Sequence, residues 1–143
     1  MILNTGVSTI APLEAAVAAG QPGMRVDLAN VYQGQRYQHV AQALEQQVAG
    51  GHADELETSI MLAIGRECVA LDRAQAWVPA AMSASGAFSR SDPHAPRFSP
   101  AGVWGDPTLA SEEKGRRLLA AMLDDLLAAV ENLHRTPGRG SGP

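Results

Sequence analysis

The 143-residue chain has one cysteine, no stripe of basic residues and no long apolar run, and each absence removes a class of function. Cys68, standing alone, can form neither an internal disulfide nor a multi-cysteine zinc site, which fits a reducing compartment and makes a cytoplasmic location the expectation. The 11 Lys and Arg residues are scattered and outnumbered by 15 Asp and Glu, so nothing is arranged to neutralise a run of phosphates, and nucleic acid is not an expected partner. No apolar run approaches the roughly 20 residues that a membrane-spanning helix needs. The amino terminus also lacks a charged segment leading into a signal-like core, so a soluble protein without a membrane partner is expected. What is present is a chain with 45% hydrophobic and 18% charged residues, enough apolar material for one globular domain or a large piece of one. It opens directly on a strand-like run, Met1-Ile2-Leu3, which hints at sheet neighbours outside the chain.

Met1–Thr5 reads as a short buried strand, followed by a turn at Gly6, Ser8 and Thr9 and a helix from Pro12 to Val17 that Gly20 stops. A second strand is expected over Met24–Ala29, where Val26 and Leu28 alternate with Arg25 and Asp27. Two strands flanking a helix suggest a βαβ unit and a parallel sheet. Tyr37, Val40, Ala41, Leu44 and Val48 recur at helical spacing until Gly50-Gly51 breaks the pattern. Asp54 followed by Glu57 has capping-box spacing ahead of the apolar run Ile60, Met61, Leu62 and Ile64. From Trp77 to Pro107 the chain is rich in Pro, Ser, Gly and Ala, and a long loop is expected. Ser111 then caps a helix whose apolar stripe is Leu118, Leu119, Met122, Leu123, Leu126, Leu127, Val130 and Leu133. Thr136–Pro143 has the composition of a disordered tail, leaving 1–135 as the domain.

Chemistry concentrates in one place. His52, Asp54, Glu55 and Glu57 put an imidazole and three carboxylates within six residues, a composition that serves metal ligation or acid/base work. Asp54 and Glu57 already have an explanation as helix caps. His52 follows Gly50-Gly51, lies on no periodic apolar face and sits just before a helix amino terminus, so a core role is not implied. Ser8 and Thr9, at the carboxyl end of the first strand, read first as ordinary helix capping. Cys68, beside Val69-Ala70-Leu71, reads as a small buried residue next to a strand and not as a nucleophile. Neither His39, His94 nor His134 forms a ligand pair by spacing. Trp104, on the loop, is placed either to close over a ligand or to anchor the loop to the core.

Gly51–Ser59, reading GHADELETS, resembles the HxGxxETS-type segment of the creatininase family. Gly102–Gly115, reading GVWGDPTLASEEKG, is similar to that family's carboxy-terminal signature. The resemblance implies the carboxy-terminal portion of a three-layer α/β/α domain with a mostly parallel sheet. It also implies an amidohydrolase that cleaves a non-peptide, cyclic or linear, amide C–N bond of a small-molecule substrate with two divalent metals, Zn or Mn. By resemblance His52 is the catalytic residue that assists proton transfer, and a homo-oligomer is expected. Two departures concern the metals. An ExHGxHLP-like region is absent, and where many members carry an NGHGGN- or NGHxEN-like turn this chain has Asn4-Thr5-Gly6-Val7-Ser8-Thr9, with Gly6 at the histidine and Ser8 at the carboxylate position. No metal ligand carries over, so metal binding by this chain alone is not expected. The chain then reads as a fragment of a longer family member, whose activity belongs to the full-length form. The other reading is a non-catalytic module that acts in self- or partner assembly.

Overall fold

The structure, a computed structural model, describes residues 1–20, 24–78, 88–95 and 97–135. They fall into two compact units, the described residues of 1–40 with those from 120 to 135, and the described residues of 41–119. The expected tail lies outside the described residues, as do 79–87 of the expected loop.

In the first unit, β1 (Ile2–Asn4) leads through a 3-10 turn at Val7–Thr9 into α1 (Ile10–Ala19), which ends at Gly20 with φ +56, a conformation suited to glycine. β2 (Leu28–Asn30) pairs with β1 in parallel, with Ile2 opposite Leu28 and Asn4 opposite Asn30. The second strand therefore lies later than Met24–Ala29. Pairing begins where the Ile2 N–H donates to the Asp27 carbonyl at 2.8 Å, while the Arg25 and Asp27 side chains are tied to each other at 2.6 Å. A 3-10 turn at Val31–Gln33 leads into α2 (Gln35–Leu44). Val31, Tyr37, Ala121 and Met122 are buried in this unit, and Tyr32 meets Tyr37 edge-on with ring centroids 5.6 Å apart.

Asp125 joins distant parts of this unit. Its carboxylate accepts the Arg36 N–H at 3.3 Å and the Tyr37 N–H at 2.9 Å, two donors that the first turn of α2 cannot satisfy internally. The Arg36 guanidinium adds a bond at 3.2 Å. Burial alone would raise the Asp125 pKa, but the two backbone donors and the Arg36 charge outweigh it and hold the carboxyl below its ordinary value. A Cβ at Gly34 would lie 2.2 Å from the Asp125 carboxylate, so the close approach requires glycine there.

The second unit holds α3 (Glu55–Gly65), the loop region and the first turns of α4 (Glu112–Arg135). Two-residue strands β3 (Phe88–Ser89) and β4 (Arg97–Phe98) pair in parallel within the loop region. Ala41, Leu56, Ile60, Leu62 and Leu118 form its buried apolar set. Four expectations are corrected. α2 stops at Leu44 because the N–H groups of Gln46 and Gln47 donate to the Glu55 carboxylate, both at 2.8 Å, which draws the chain out of the helical ladder; Val48 is 96% exposed. Cys68 is exposed, in a 3-10 turn at Arg66–Cys68, with a second 3-10 turn at Leu71–Arg73 where a strand was expected. On α4, Leu118 and Met122 are buried while Leu123 and Leu127, at 51% and 61%, face outward, so the apolar stripe is wider than the buried face. Finally, Thr9 makes no side-chain cap to α1; its hydroxyl donates to Asn4 and to the Gly6 carbonyl instead.

Candidate functional site

The segment from Gly50 to Ser59 folds as a loop turning into a helix, and nearly every polar group in it has a backbone task. Asp54 is the N-cap of α3, its Oδ1 accepting the Leu56 and Glu57 N–H groups at 3.0 Å each. Glu57 reaches back to accept the Ala53 N–H at 2.7 Å, completing a reciprocal cap one residue before the usual partner. Ala53 has φ +48, so this bond holds a strained turn directly after His52. The Thr58 hydroxyl meets the Ala53 carbonyl at 3.3 Å. The fully buried Ser59 donates to the Glu55 carbonyl at 2.6 Å and accepts the Ser111 N–H at 3.1 Å.

Glu55 is a fully buried carboxylate whose cost of burial is met on both oxygens: Oε2 takes the Gln46 and Gln47 N–H groups, and Oε1 takes the Lys114 ammonium. Lys114 also donates to Gln46 Oε1 at 2.7 Å and to the Leu109 carbonyl at 2.9 Å, filling its three donor positions. Gln47 ties the same region together, accepting the Glu55 N–H at 3.2 Å and the Asp106 N–H at 3.0 Å while donating to Asp54 at 3.0 Å. The two segments that stand out in the sequence are thus each other's packing partners. Gly115 of the second lies against the Ser59 carbonyl of the first, and Ser111, as expected, caps α4 by accepting the Lys114 N–H at 3.2 Å.

His52 sits at the rim of this frame with an exposed side chain. Its main chain pairs with Trp104: the Gly51 and His52 N–H groups donate to the Trp104 carbonyl at 3.0 and 3.2 Å, and the Trp104 N–H donates to the His52 carbonyl at 2.8 Å. On the far side, Trp77 and Gly105 exchange two bonds of 2.8 Å. The structure therefore separates the four residues that the sequence grouped. Asp54, Glu55 and Glu57 are engaged by backbone N–H groups and Lys114, and His52 alone points outward.

The Asn4–Thr9 turn, in the other unit, is closed by neutral groups. The buried Asn4 amide donates to the Gly6 carbonyl at 2.9 Å and to Asn30 Oδ1 at 2.8 Å, and its oxygen accepts the Gly6 N–H at 3.2 Å and the Thr9 hydroxyl at 2.6 Å. A divalent metal of the kind that the resemblance implies needs carboxylate or imidazole donors, and this turn offers neither. Among the described residues no three His, Cys, Asp or Glu side chains gather as a set that could hold a metal ion. The residues present do not fit that group. Among the described residues, no helix is long and apolar enough to cross a membrane.

Comparison with known proteins accounts for this arrangement. The family described as creatininase, creatinine amidohydrolase, matches residues 2–130. The mycofactocin precursor peptide peptidase of Mycobacterium ulcerans (strain Agy99) is 40% identical over 92 residues, which are 63% of this chain and 36% of that protein. A solved structure titled as the manganese form of creatininase superposes with a TM-score of 0.63 at 25% identity, over 90% of this chain and 50% of that one. A single-residue creatininase variant of Zn–Zn type gives 0.62 at 25% identity, again over 90% and 50%. The parallel β1–β2 pair with its connecting helix is thus part of a creatininase-like α/β fold, and the chain spans about half the length of these solved relatives.

Proposed function

The chain belongs to the creatininase family, a family of amidohydrolases, and from that premise we propose that it carries the proton-transfer element of a metal-dependent amide hydrolase, with His52 as the acting group. Hydrolysis of an amide C–N bond needs a nucleophilic water, a stabilised carbonyl oxygen and a proton for the departing nitrogen. Of these, the described residues offer a group for the third. His52 is exposed, its backbone exchanges two hydrogen bonds with Trp104, and its neighbouring carboxylates are engaged by backbone N–H groups, so it is held in position. The outward placement of His52 on this frame is the observation that carries the proposal. Manganese and zinc creatininases among the solved relatives support a divalent metal for the whole-length activity. Because the Asn4–Thr9 turn supplies no suitable donor, the ligands would come from residues other than these.

The bond cleaved is proposed as a cyclic or linear amide of a small molecule, in line with the creatininase structures. The 40% identity to a peptide peptidase favours a second candidate, the C–N bond of a short peptide. An assembling, oligomeric chain is supported by the exposed apolar residues Met1, Leu3 and Val7 along β1 and its turn. The test is metal content of the dialysed chain by elemental analysis, alongside hydrolysis of creatinine and of short peptides, with His52→Ala as control. The expected result is no stoichiometric Mn or Zn and no turnover from this chain alone. About two ions per chain with His52-dependent hydrolysis would mean a complete metal centre within these residues, and would overturn the placement of the ligands outside them.

A further inference from the structure

We propose that Trp104 is a specificity-determining residue that works beside His52: its indole forms a flat apolar wall next to the imidazole and favours amide substrates carrying an aromatic group near the scissile bond. The proposal rests on the reading of His52 given above. The geometry comes from the main chain. Two consecutive N–H groups, of Gly51 and His52, share the single Trp104 carbonyl, which is the pattern of a β-bulge, a device that re-aims the side chain beside it. His52 and Trp104 exchange N–H···O bonds in both directions, and residues paired in this way project their side chains from the same face, with Cβ atoms roughly 5 Å apart. Imidazole and indole therefore share a side of the ribbon.

Gly51 provides the seat for the ring. A Cβ at that position would lie 3.2 Å from Cε3 and 3.3 Å from Cζ3 of Trp104, so the six-membered ring rests against the bare glycine backbone. From the other edge the Trp77–Gly105 pairing holds the strand, and Trp77 is itself tied by its indole N–H to the Phe98 carbonyl at 3.2 Å. Sharp turns follow both residues, at Ala53 with φ +48 and at Gly105 with φ +135, and a Cβ at Gly105 would strike Asp54 Cβ at 2.5 Å. The frame thus leaves the pair little freedom. Trp104 is half-buried, alongside an exposed histidine. A rigid, partly open aromatic face next to a proton-transfer group recognises a flat apolar group by stacking.

The test is an NMR titration of the whole chain with two probes, N-acetyl-phenylalaninamide and N-acetyl-alaninamide, following the His52 imidazole and Trp104 indole signals. The aromatic amide is expected to shift both signals along one binding curve, at concentrations about three- to tenfold lower than the alanine amide. Trp104→Leu is expected to erase that preference and Trp104→Phe to retain part of it, with backbone signals away from the two segments unchanged. Equal affinity for the two probes in the native chain, or a preference that survives in Trp104→Leu, would overturn the role of Trp104 and leave that of His52 standing. Should neither amide move the His52 signals, both readings fall. If the leucine variant does not fold, the native preference together with the phenylalanine variant decides.

Discussion

Gly115→Ala adds one methyl group at the point where α4 crosses α3. The new Cβ would lie 1.8 Å from the Ser59 carbonyl oxygen, 2.5 Å from the carbonyl carbon and 3.0 Å from Ala63 Cβ. The first two neighbours are backbone and cannot swing aside. Restoring an ordinary contact requires the helices to separate by about 1.5 Å at this level. Such a movement stretches the Ser111 N–H bond to Ser59 Oγ, now 3.1 Å, out of hydrogen-bonding range and loosens the Lys114–Glu55 contact one residue away. Overpacking costs about 1–3 kcal/mol, and the weakened buried hydrogen bonds cost about 1–3 kcal/mol more. Alanine's better helix propensity offsets roughly 1 kcal/mol. The expected net loss is roughly 1–5 kcal/mol, against the about 5–15 kcal/mol that holds a domain together. Chemical denaturation monitored by circular dichroism measures it. Gly65→Ala is the control, because a Cβ there meets only the Glu67 carboxylate at 3.3 Å and Cys68 Sγ at 3.7 Å, both on side chains that can move. A loss below about 1 kcal/mol for Gly115→Ala, or an equal loss for the control, would refute the close-packing argument.

Three further outcomes follow from named contacts. Asp125→Asn removes a charged cap from the first turn of α2 and is expected to cost about 1–2 kcal/mol. Because the folded-state pKa of Asp125 lies below its ordinary 3.8, its contribution is complete above that value and fades as the pH falls through the lowered pKa. Acid titration of stability should therefore be shallower in Asp125→Asn, and identical acid profiles would contradict the assignment. Lys114→Met leaves the Glu55 carboxylate buried without its cation, for an expected loss of about 3–5 kcal/mol, part of which a Glu55→Gln partner substitution restores. A double-mutant cycle with no coupling between the two would count against the pair. His52→Ala, an exposed side chain, is expected to change the denaturation midpoint by less than about 0.5 kcal/mol, and a larger loss would assign it a structural task.

The features legible in the sequence were those set by neighbours along the chain. Asp54 and Glu57 cap α3 because a cap is a matter of three or four residues, and α4 declares itself through the spacing of Leu118 and Met122. The end of α2 was not legible, since the group that unwinds it, the Glu55 carboxylate, comes after the glycines that look like the stop signal. The same holds for β2, where pairing starts at Asp27 because Ile2 offers its N–H there, while side-chain alternation only locates the apolar positions. Cys68 was misplaced for a related reason: an apolar triplet after a helix suggests a strand, but no partner strand pairs with it among the described residues, and the chain turns instead through two 3-10 segments. At the candidate site, the sequence singled out both His52 and Trp104. Their direct pairing joins residues 52 positions apart and required the structure.

The two segments that carry the family likeness are occupied mainly with each other. Glu57 and Thr58 hold the strained turn at Ala53, Ser59 joins α3 to the start of α4, Lys114 neutralises buried Glu55, and Gly115 permits the helices to touch. Every one of these tasks is a contact within the scaffold, whether or not the protein hydrolyses anything. Family likeness in these positions therefore speaks for the scaffold. His52 is exposed, and its main chain is paired with that of Trp104. In the other unit, the Asn4–Thr9 turn is a neutral loop closed by an amide side chain with four hydrogen bonds. Because that turn offers neither carboxylate nor imidazole, the dialysed chain is expected to retain no stoichiometric Mn or Zn, and elemental analysis that finds about two ions per chain would overturn the proposal that the ligands lie elsewhere.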